Sequence, residues 1–384
     1  MPQVTIIIPL FNHERYIPDA LRSLLSQSHP PDRIIVIDDG SSDRSLDAAR
    51  SVPDSRITLL SQQNAGAHNT LNRGLSLAAD ADFIGILNSD DLYEPARIES
   101  CLRALDQNPS AAVAATRLRM IDESGVLLPP SDPRVRWLTS VWRARPPSLP
   151  AWLGIANFTK TTSNLFGRAS YFRAHAFRPY RYVHDYFFAL TAVLDAQLLL
   201  IDEELLRYRA HTSNTIKSGP PEKLPLEVLR MHIDLLRAFS PVLAADPDTR
   251  ERLADYFRSL SLNYADFRFE PFLHLAASQF AHLSDSQTES LCQSLDPAQF
   301  PELLAAKSHA LREDLAQAAS DHFLECVASS RWLALGRLLG LSPSFITDSP
   351  TAQSRLAALK KACSSSPWYR VGRRLGFIYS DPWE

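Results

Sequence analysis

Two adjacent carboxylates, Asp90 and Asp91, stand just beyond the apolar run Phe83-Ile84-Gly85-Ile86-Leu87, separated from it by Asn88 and Ser89. Paired acidic side chains at the carboxyl end of a buried strand put hard oxygen ligands where an open α/β sheet binds its ligands. The chemistry this suits is a divalent cation holding a phosphorylated substrate. A second acidic cluster, Asp38-Asp39-Gly40-Ser41-Ser42-Asp43, follows Arg33-Ile34-Ile35-Val36-Ile37 in the same manner. A third run, Val4-Thr5-Ile6-Ile7-Ile8, is ended by Pro9 and followed by Phe11 and Asn12.

Runs this continuously apolar read as strands buried on both faces, the habit of parallel sheets. Between them lie helical periods. Tyr16 to Ser26 carries Ile17, Ala20, Leu21, Leu24 and Leu25 on one face, and Ala67 to Ala79 carries Leu71, Leu75 and Ala78. Strand and helix in alternation predict right-handed crossovers and a mostly parallel sheet covered on both faces. The acidic clusters then gather on one edge. Further on, Leu198 to Ile201 reads as a strand, Asp202 to Glu204 as a turn and Phe187 to Leu194 as a helix.

At 384 residues the chain exceeds the size at which one core keeps growing, so two domains are expected. Strand-like runs give way to helical periodicity after Ser218-Gly219-Pro220-Pro221, as in Leu226 to Phe239 and Thr249 to Phe267, which predicts a first domain over 1–217 and a helical one over 218–384. The proline-rich Arg143 to Pro150 reads as a loop of the first domain on the rim of the site. A net charge of −3 supplies no basic field for nucleic acid. Cys101, Cys292, Cys326 and Cys363 are widely spaced and lack metal-site patterning, so they read as reduced thiols of a cytosolic protein. No apolar stretch approaches the roughly 20 residues needed to span a bilayer, and no basic leader precedes the first strand. A soluble or peripheral cytoplasmic protein is the expectation.

The order of these motifs resembles glycosyltransferase family 2, the inverting enzymes of GT-A fold that use nucleotide-diphosphate sugars. The resemblance is carried by VTIIIPLFNHERYIPDALRSLLSQS, IIVIDDGSSDRS, NAGAHNTLNRGLSLA, FIGILNSDDLYEPARI, HDYFFAL and YRAHTSNT, and covers about Pro2 to Thr215. It implies a doubly wound, Rossmann-like GT-A sheet followed by a mainly helical C-terminal region, and a glycan, lipid-linked glycan or other hydroxyl acceptor, as in synthesis of bacterial surface polysaccharide or glycolipid.

The resemblance also implies roles. Asp91 is the first choice as ligand of Mn2+ or Mg2+, with Asp90 turned toward ribose or donor-sugar hydroxyls. Asn88 stands where many relatives carry the first aspartate of a DXD motif, removing one charge. Asp39 would accept a hydrogen bond from the imide of uracil or thymine, which favours a UDP- or dTDP-linked donor over cytosine, while Asp38 caps the turn or supports Asp39. Pro9, Phe11 and Asn12 would line the nucleoside, and Asn64, Gly66 and Asn72 would close its other side, with Leu71 replacing the arginine common in relatives. Asp185 is implied as the catalytic base. Arg209 would neutralise diphosphate charge, and His211 would complete the metal site or donate to a phosphate oxygen.

Simpler readings stand beside these: a turn for Asn88 to Asp91, core packing for Phe11, an N-cap for Asp185, a structural imidazole for His211. Trp137, Trp142 and Trp152, within Arg117 to Lys160, read either as an acceptor wall or as ballast under a long loop. Near the end Arg355, Lys360, Lys361, Arg370, Arg373 and Arg374 lie among Trp368, Tyr369, Leu375, Phe377 and Ile378, which describes peripheral membrane contact or a solvated helix. The residues after 218 are open to acceptor docking, homodimer formation or bracing. A sugar-phosphate nucleotidyltransferase lacks its glycine-rich phosphate loop here, since Pro9-Leu10-Phe11-Asn12 holds no glycine, and a non-catalytic nucleotide-sugar- or glycan-binding subunit fits poorly with Asp39, Asp91 and Asp185 together.

Overall fold

The computed structural model describes residues 2–212 apart from 144 and 147, residue 214, part of 227–263 and a few positions between 357 and 366. By internal contacts the chain forms two compact units, one of Met1–Trp142 with Asn157–His232, the other of Arg143–Ala156 with Ile233–Glu384.

The first unit is built on an eight-stranded sheet ordered β3-β2-β1-β4-β7-β6-β8-β5. Its strands are β1 (Val4–Leu10), β2 (Arg33–Asp38), β3 (Ile57–Ser61), β4 (Phe83–Ile86), β5 (Leu92–Tyr93), β6 (Val113–Ile121), β7 (Phe166–Arg168) and β8 (Leu198–Arg209). The four strands β3, β2, β1 and β4 run parallel, as the apolar runs require, and β6 and β8 are parallel as well. The short β7 joins the halves by pairing antiparallel to both β4 and β6, and β5 is antiparallel to β8. At Gly167, between those partners, an added Cβ would stand 2.2 Å from the carbonyl oxygen of Ala112, so only glycine fits.

β1 is central, and Val4, Ile6, Ile7, Ile8 and Leu10 are fully buried. The strand runs through Pro9 instead of ending at it. Its pairing with β4 stops at Ile7↔Ile86 while its pairing with β2 continues to Leu10↔Asp38, so the proline sits where a neighbour flanks it on one side only. The expected turn at Asp202 to Glu204 is likewise strand. β8 absorbs it as a register shift against β6 between Thr116 and Leu118, with residues 202–204 exposed. The run Asp202-Glu203-Glu204 resembles a turn by its polarity, yet an exposed bulge within the strand accommodates the same residues.

The helices are α1 (Ile17–Leu25), α2 (Ser45–Arg50), α3 (Ala67–Leu77), α4 (Arg97–Gln107), α5 (Pro133–Arg143), α6 (Leu149–Ile155), α7 (Ala169–Ala174), α8 (His184–Leu194) and α9 (Pro247–Asn263). α1 buries Ile17, Ala20, Leu21 and Leu24, the predicted face. A one-turn 3₁₀ helix spans Thr162–Asn164.

The second unit takes Arg143–Ala156 out of the middle of the first. The segment expected to be a rim loop therefore contributes α6, capped by Ser148, and α6 packs on α9 with Trp152 fully buried. Described residues between Glu227 and Phe239 are helical, and α9 covers most of the period predicted from Thr249. The predicted boundary at 217/218 and the basic aromatic tail fall outside the described residues, as do three of the four cysteines; Cys101 is a buried free thiol. Among the described residues no helix is long and apolar enough to cross a membrane.

Candidate active site

The loops after β1 and β2 are laced together. Asn12 adopts a left-handed φ of +53°, a conformation asparagine tolerates. Its N–H donates to Ser41 Oγ (2.9 Å), and its Oδ1 accepts from the N–H of Ser42 (2.8 Å). Pro9 is half-buried and Phe11 is 46% exposed, so the ring lies on the surface of this edge and not in the core. The N–H of His13 donates to Ser45 Oγ (2.7 Å), and His13 Nδ1 lies 2.8 Å from Ser89 Oγ, which carries the imidazole to the loop after β4.

Asp38 caps the turn, accepting from the N–H of Ser41 and from Ser61 Oγ (both 3.3 Å). Asp39 is buried and anchors the loop before α3. Its Oδ1 accepts from Gln62 Nε2 (2.7 Å) and the Ala65 N–H (2.8 Å), and its Oδ2 from the Gly66 N–H (2.9 Å). Oδ2 thus retains acceptor capacity for one more donor. Asn64 is exposed and crosses close over Gly40, where a Cβ would meet the Asn64 nitrogen at 2.9 Å. Asn72 departs from expectation. Its amide donates to the Phe177 carbonyl (2.9 Å) and accepts from the Phe177 N–H (2.8 Å), so both ends hold the chain ahead of α8, while Leu71 is core.

Asp90 and Asp91 have different hydrogen-bond partners, and it is Asp90, where Asp91 was the expected ligand, that meets the histidines. Asp91 faces inward. Its Oδ2 accepts from Ser163 Oγ (2.6 Å) and Thr161 Oγ1 (3.4 Å), and its Oδ1 from the Arg209 N–H (2.9 Å). Burial and the adjacent Asp90 push its carboxyl well above the ordinary value. Asp90 instead meets the histidines, with Oδ2 2.8 Å from His211 Nε2. Burial alone would raise Asp90, but the His211 hydrogen bond and the charges of His13 and His211 hold it below the ordinary value. His13, Asp90 and His211 each bring one ligand atom within 4.8 Å of the others. Two imidazoles and a carboxylate form a donor set that suits a divalent metal.

The rest of the strand end is neutral scaffolding. Asn88 donates to Thr161 Oγ1 (2.9 Å), accepts from Thr162 Oγ1 (2.8 Å) and through its N–H donates to Ser163 Oγ (2.9 Å). Asn164 spans Thr116 and Thr159 behind them. Arg209 is buried and threads between loops. Its Nε donates to the Asp90 carbonyl (2.8 Å), its Nη1 to the Glu123 (2.9 Å) and Asp122 (3.2 Å) carbonyls, and its guanidinium lies 4.8 Å from the centre of the Tyr16 ring. Its Nη2 is buried with no hydrogen-bond partner among the described residues, which leaves one donor unused. His211 is held through its N–H by Asn214 Oδ1 (2.8 Å), and its ring packs on Tyr16 (5.2 Å) and His13 (5.6 Å).

Asp185 lies in the first turn of α8, whose N-cap is Val183, so it is not the capping residue. Burial pushes its carboxyl up to about 7, against hydrogen bonds from Tyr186 and Asn157 and the charge of Lys160. Lys160, at a left-handed φ of +68°, sets its ammonium over Trp137 (4.7 Å) and Tyr208 (5.5 Å). Burial and then the charges of Asp91, Asp90 and Asp185 raise the Tyr208 phenol, so carboxylates from two motifs distant in sequence act on one ring. Of the three tryptophans considered for an acceptor wall, Trp137 is 43% exposed, Trp142 packs against Phe158 and Trp152 is buried in the second unit.

Four contributors escaped sequence reasoning: His13, Tyr208, Lys160 and the Thr161-Thr162-Ser163-Asn164 turn. His13 directly follows Asn12 past a strand end, and four consecutive small polar residues mark a turn with hydroxyls to spare. Those two signals were present, and Tyr208 opens the segment YRAHTSNT without a role being assigned to it; nothing local singles out Lys160.

Residues 5–181 match the family described as Glycosyl transferase family 2. The uncharacterized glycosyltransferase EpsJ of Bacillus subtilis (strain 168) is 28% identical over 223 residues, 56% of this chain and 63% of that protein. The chondroitin synthase of Escherichia coli is 33% identical over 130 residues, 33% of this chain and 19% of that one. The chain thus spans less than two thirds of either relative. Among solved structures, S. aureus TarS 1–349 in complex with UDP-GlcNAc superposes with a TM-score of 0.51 at 15% identity, covering 90% of this chain and 94% of that one. That likeness shows the fold: a mixed sheet with flanking helices of GT-A type.

Proposed function

We infer that this chain, whose residues 5–181 match glycosyltransferase family 2, is an inverting transferase that moves a sugar from a nucleoside-diphosphate donor to a hydroxyl acceptor. The observation that carries this is the gathering of Asp90, Asp91 and Asp185 about Tyr208, one carboxyl tuned to about 7 and another beside two imidazoles. A general base works best when its pKa lies near the operating pH, and Asp185 meets that condition.

In this reading Asp185 takes the proton of the acceptor hydroxyl as the acceptor oxygen bonds to the anomeric carbon. The bond from that carbon to the diphosphate oxygen breaks, and its electron pair leaves on the diphosphate. One displacement from the opposite face inverts the carbon. His13, Asp90 and His211 would hold Mn2+ or Mg2+, which when bound neutralises the leaving diphosphate. Asp90 thereby takes the ligand role first expected of Asp91, and Asp91 becomes the buried acceptor that fixes the backbone of Arg209. The unused donor at Arg209 Nη2 suits a phosphate oxygen.

A uridine donor is supported by the remaining acceptor capacity of Asp39 Oδ2 and by the UDP-GlcNAc bound by TarS. A dTDP-linked donor presents the same imide. Asn12, Asn64 and Gly66 border that position, with Pro9 and Phe11 beside them. Trp137 and Lys160, next to Asp185, form the acceptor side for a glycan or lipid-linked glycan. Calorimetry with UDP, with and without Mn2+, followed by hydrolysis of UDP-, dTDP- and GDP-sugars, tests the reading. Metal-dependent UDP binding and hydrolysis of one uridine or thymidine donor are expected; absence of nucleotide binding refutes it.

A further inference from the structure

The turn that delivers Asp185 is held by a residue far along the chain. The N–H groups of Arg181, Tyr182 and Val183 converge on the carboxylate of Glu227: Arg181 donates to Oε2 (2.9 Å), Val183 to Oε1 (3.0 Å), and Tyr182 to Oε1 as well. α8 begins at His184, and its N-cap, Val183, has no side-chain oxygen to accept a backbone N–H. A carboxylate at the start of a helix also meets the positive end of its dipole. The connection from α7 to α8 is thus pinned at two points, by Asn72 at Phe177 and by Glu227 at residues 181–183. Between the second pin and Asp185 lies only His184.

We propose that Glu227 is a positioning residue for the transfer reaction, fixing the turn that presents Asp185 to the acceptor hydroxyl. The proposal rests on the transferase reading for its kinetic consequence but not for its structural one. The segment that follows His211 is thereby joined, through one carboxylate, to the element that bears the base.

Near-attack geometry is steep in distance, and displacement by about 1 Å costs on the order of 100-fold in rate. Glu227→Ala in the full chain is therefore expected to lower kcat for Mn2+-supported hydrolysis of UDP-N-acetylglucosamine by about 10- to 100-fold. The KM for the donor and the affinity for UDP stay unchanged. Glu227→Gln, which keeps one accepting oxygen, recovers most of the loss. A loosened turn also wets Asp185, so the acidic limb of kcat moves to lower pH in Glu227→Ala, a change that simple loss of folded protein does not produce.

Hydrogen exchange read by mass spectrometry supplies the arm that needs no activity. The amides of Arg181, Tyr182 and Val183 exchange faster in Glu227→Ala than in the parent, with the sheet unaffected. Unchanged protection at those three amides, or an unchanged kcat, overturns the proposal. Should the parent hydrolyse no nucleotide sugar, the transferase reading fails, and the exchange result alone decides whether Glu227 holds the turn.

Discussion

Replacing Asp185 by asparagine separates chemistry from folding in a way that the structure makes quantitative. The carboxyl is pushed from its ordinary 3.8 to about 7 by burial. At 1.36 kcal/mol for each factor of ten, holding it ionised in the folded chain costs about 4 kcal/mol. The folded state binds this proton more tightly than the unfolded state does. Its contribution to stability is therefore fully present below about pH 4, declines as pH rises, and is lost above about 7. Asparagine carries no such dependence.

Asp185→Asn should match the parent in stability at pH 4 and exceed it at pH 8 by about 2 to 4 kcal/mol, allowing for altered hydrogen bonds to Asn157 and Tyr186. Urea unfolding followed by circular dichroism at intervals from pH 4 to pH 8 reads this directly. In the same variant turnover should fall by about 10²- to 10⁴-fold, the usual share of a general base, while calorimetry finds UDP binding intact. Turnover of the parent should rise with pH through about 7. A stability profile identical to the parent's across this range would refute the buried, proton-holding carboxyl, and loss of UDP binding in step with turnover would refute its role as base.

Asp90→Asn should abolish binding of Mn2+ by calorimetry, whereas Asp91→Asn, whose oxygen still accepts from the Arg209 N–H, should retain it; the opposite pattern restores Asp91 as ligand. Because His13 adds a second imidazole, Co2+ and Mn2+ should bind more tightly than Mg2+, and His13→Gln should weaken Co2+ by at least about tenfold with little change for Mg2+, measured by Co2+ absorption and competition. Gly167→Ala should cost about 3 kcal/mol or more in urea unfolding, since its Cβ would strike the Ala112 carbonyl, while nearby Ala169→Gly should cost far less.

The parallel half of the sheet was readable from sequence because β1, β2 and β4 are buried on both faces and so carry unbroken aliphatic runs. The antiparallel half was not. β7 is three residues long and has no period to detect, and the acidic bulge in β8 imitates a turn. Position along the chain revealed that Asp90 and Asp91 end a strand, but which carboxylate meets the imidazoles of His13 and His211 depends on one peptide's orientation, and the inward turn of Asp91 is set by Thr161, Ser163 and Arg209 from elsewhere in the chain. The pairing of Asn72 was hidden for a similar reason: its partner, Phe177, lies 105 residues away. The excursion of Arg143–Ala156 into the second unit could not be read from its prolines, which mark a turn without saying which core the next helix joins.

Around the end of β4, side-chain orientation is held by Thr161, Thr162, Ser163 and Asn164, groups that neither ionise nor attract counterions. Salt screens exposed charges but leaves such contacts untouched. Ionic strength should therefore alter how fast an anionic donor arrives and how firmly a cation is kept, without disturbing the frame into which they fit. Adaptation of this protein to saline or acidic surroundings would have to act on approach and on proton transfer, because the hydroxyls and amides of that turn have nothing to titrate.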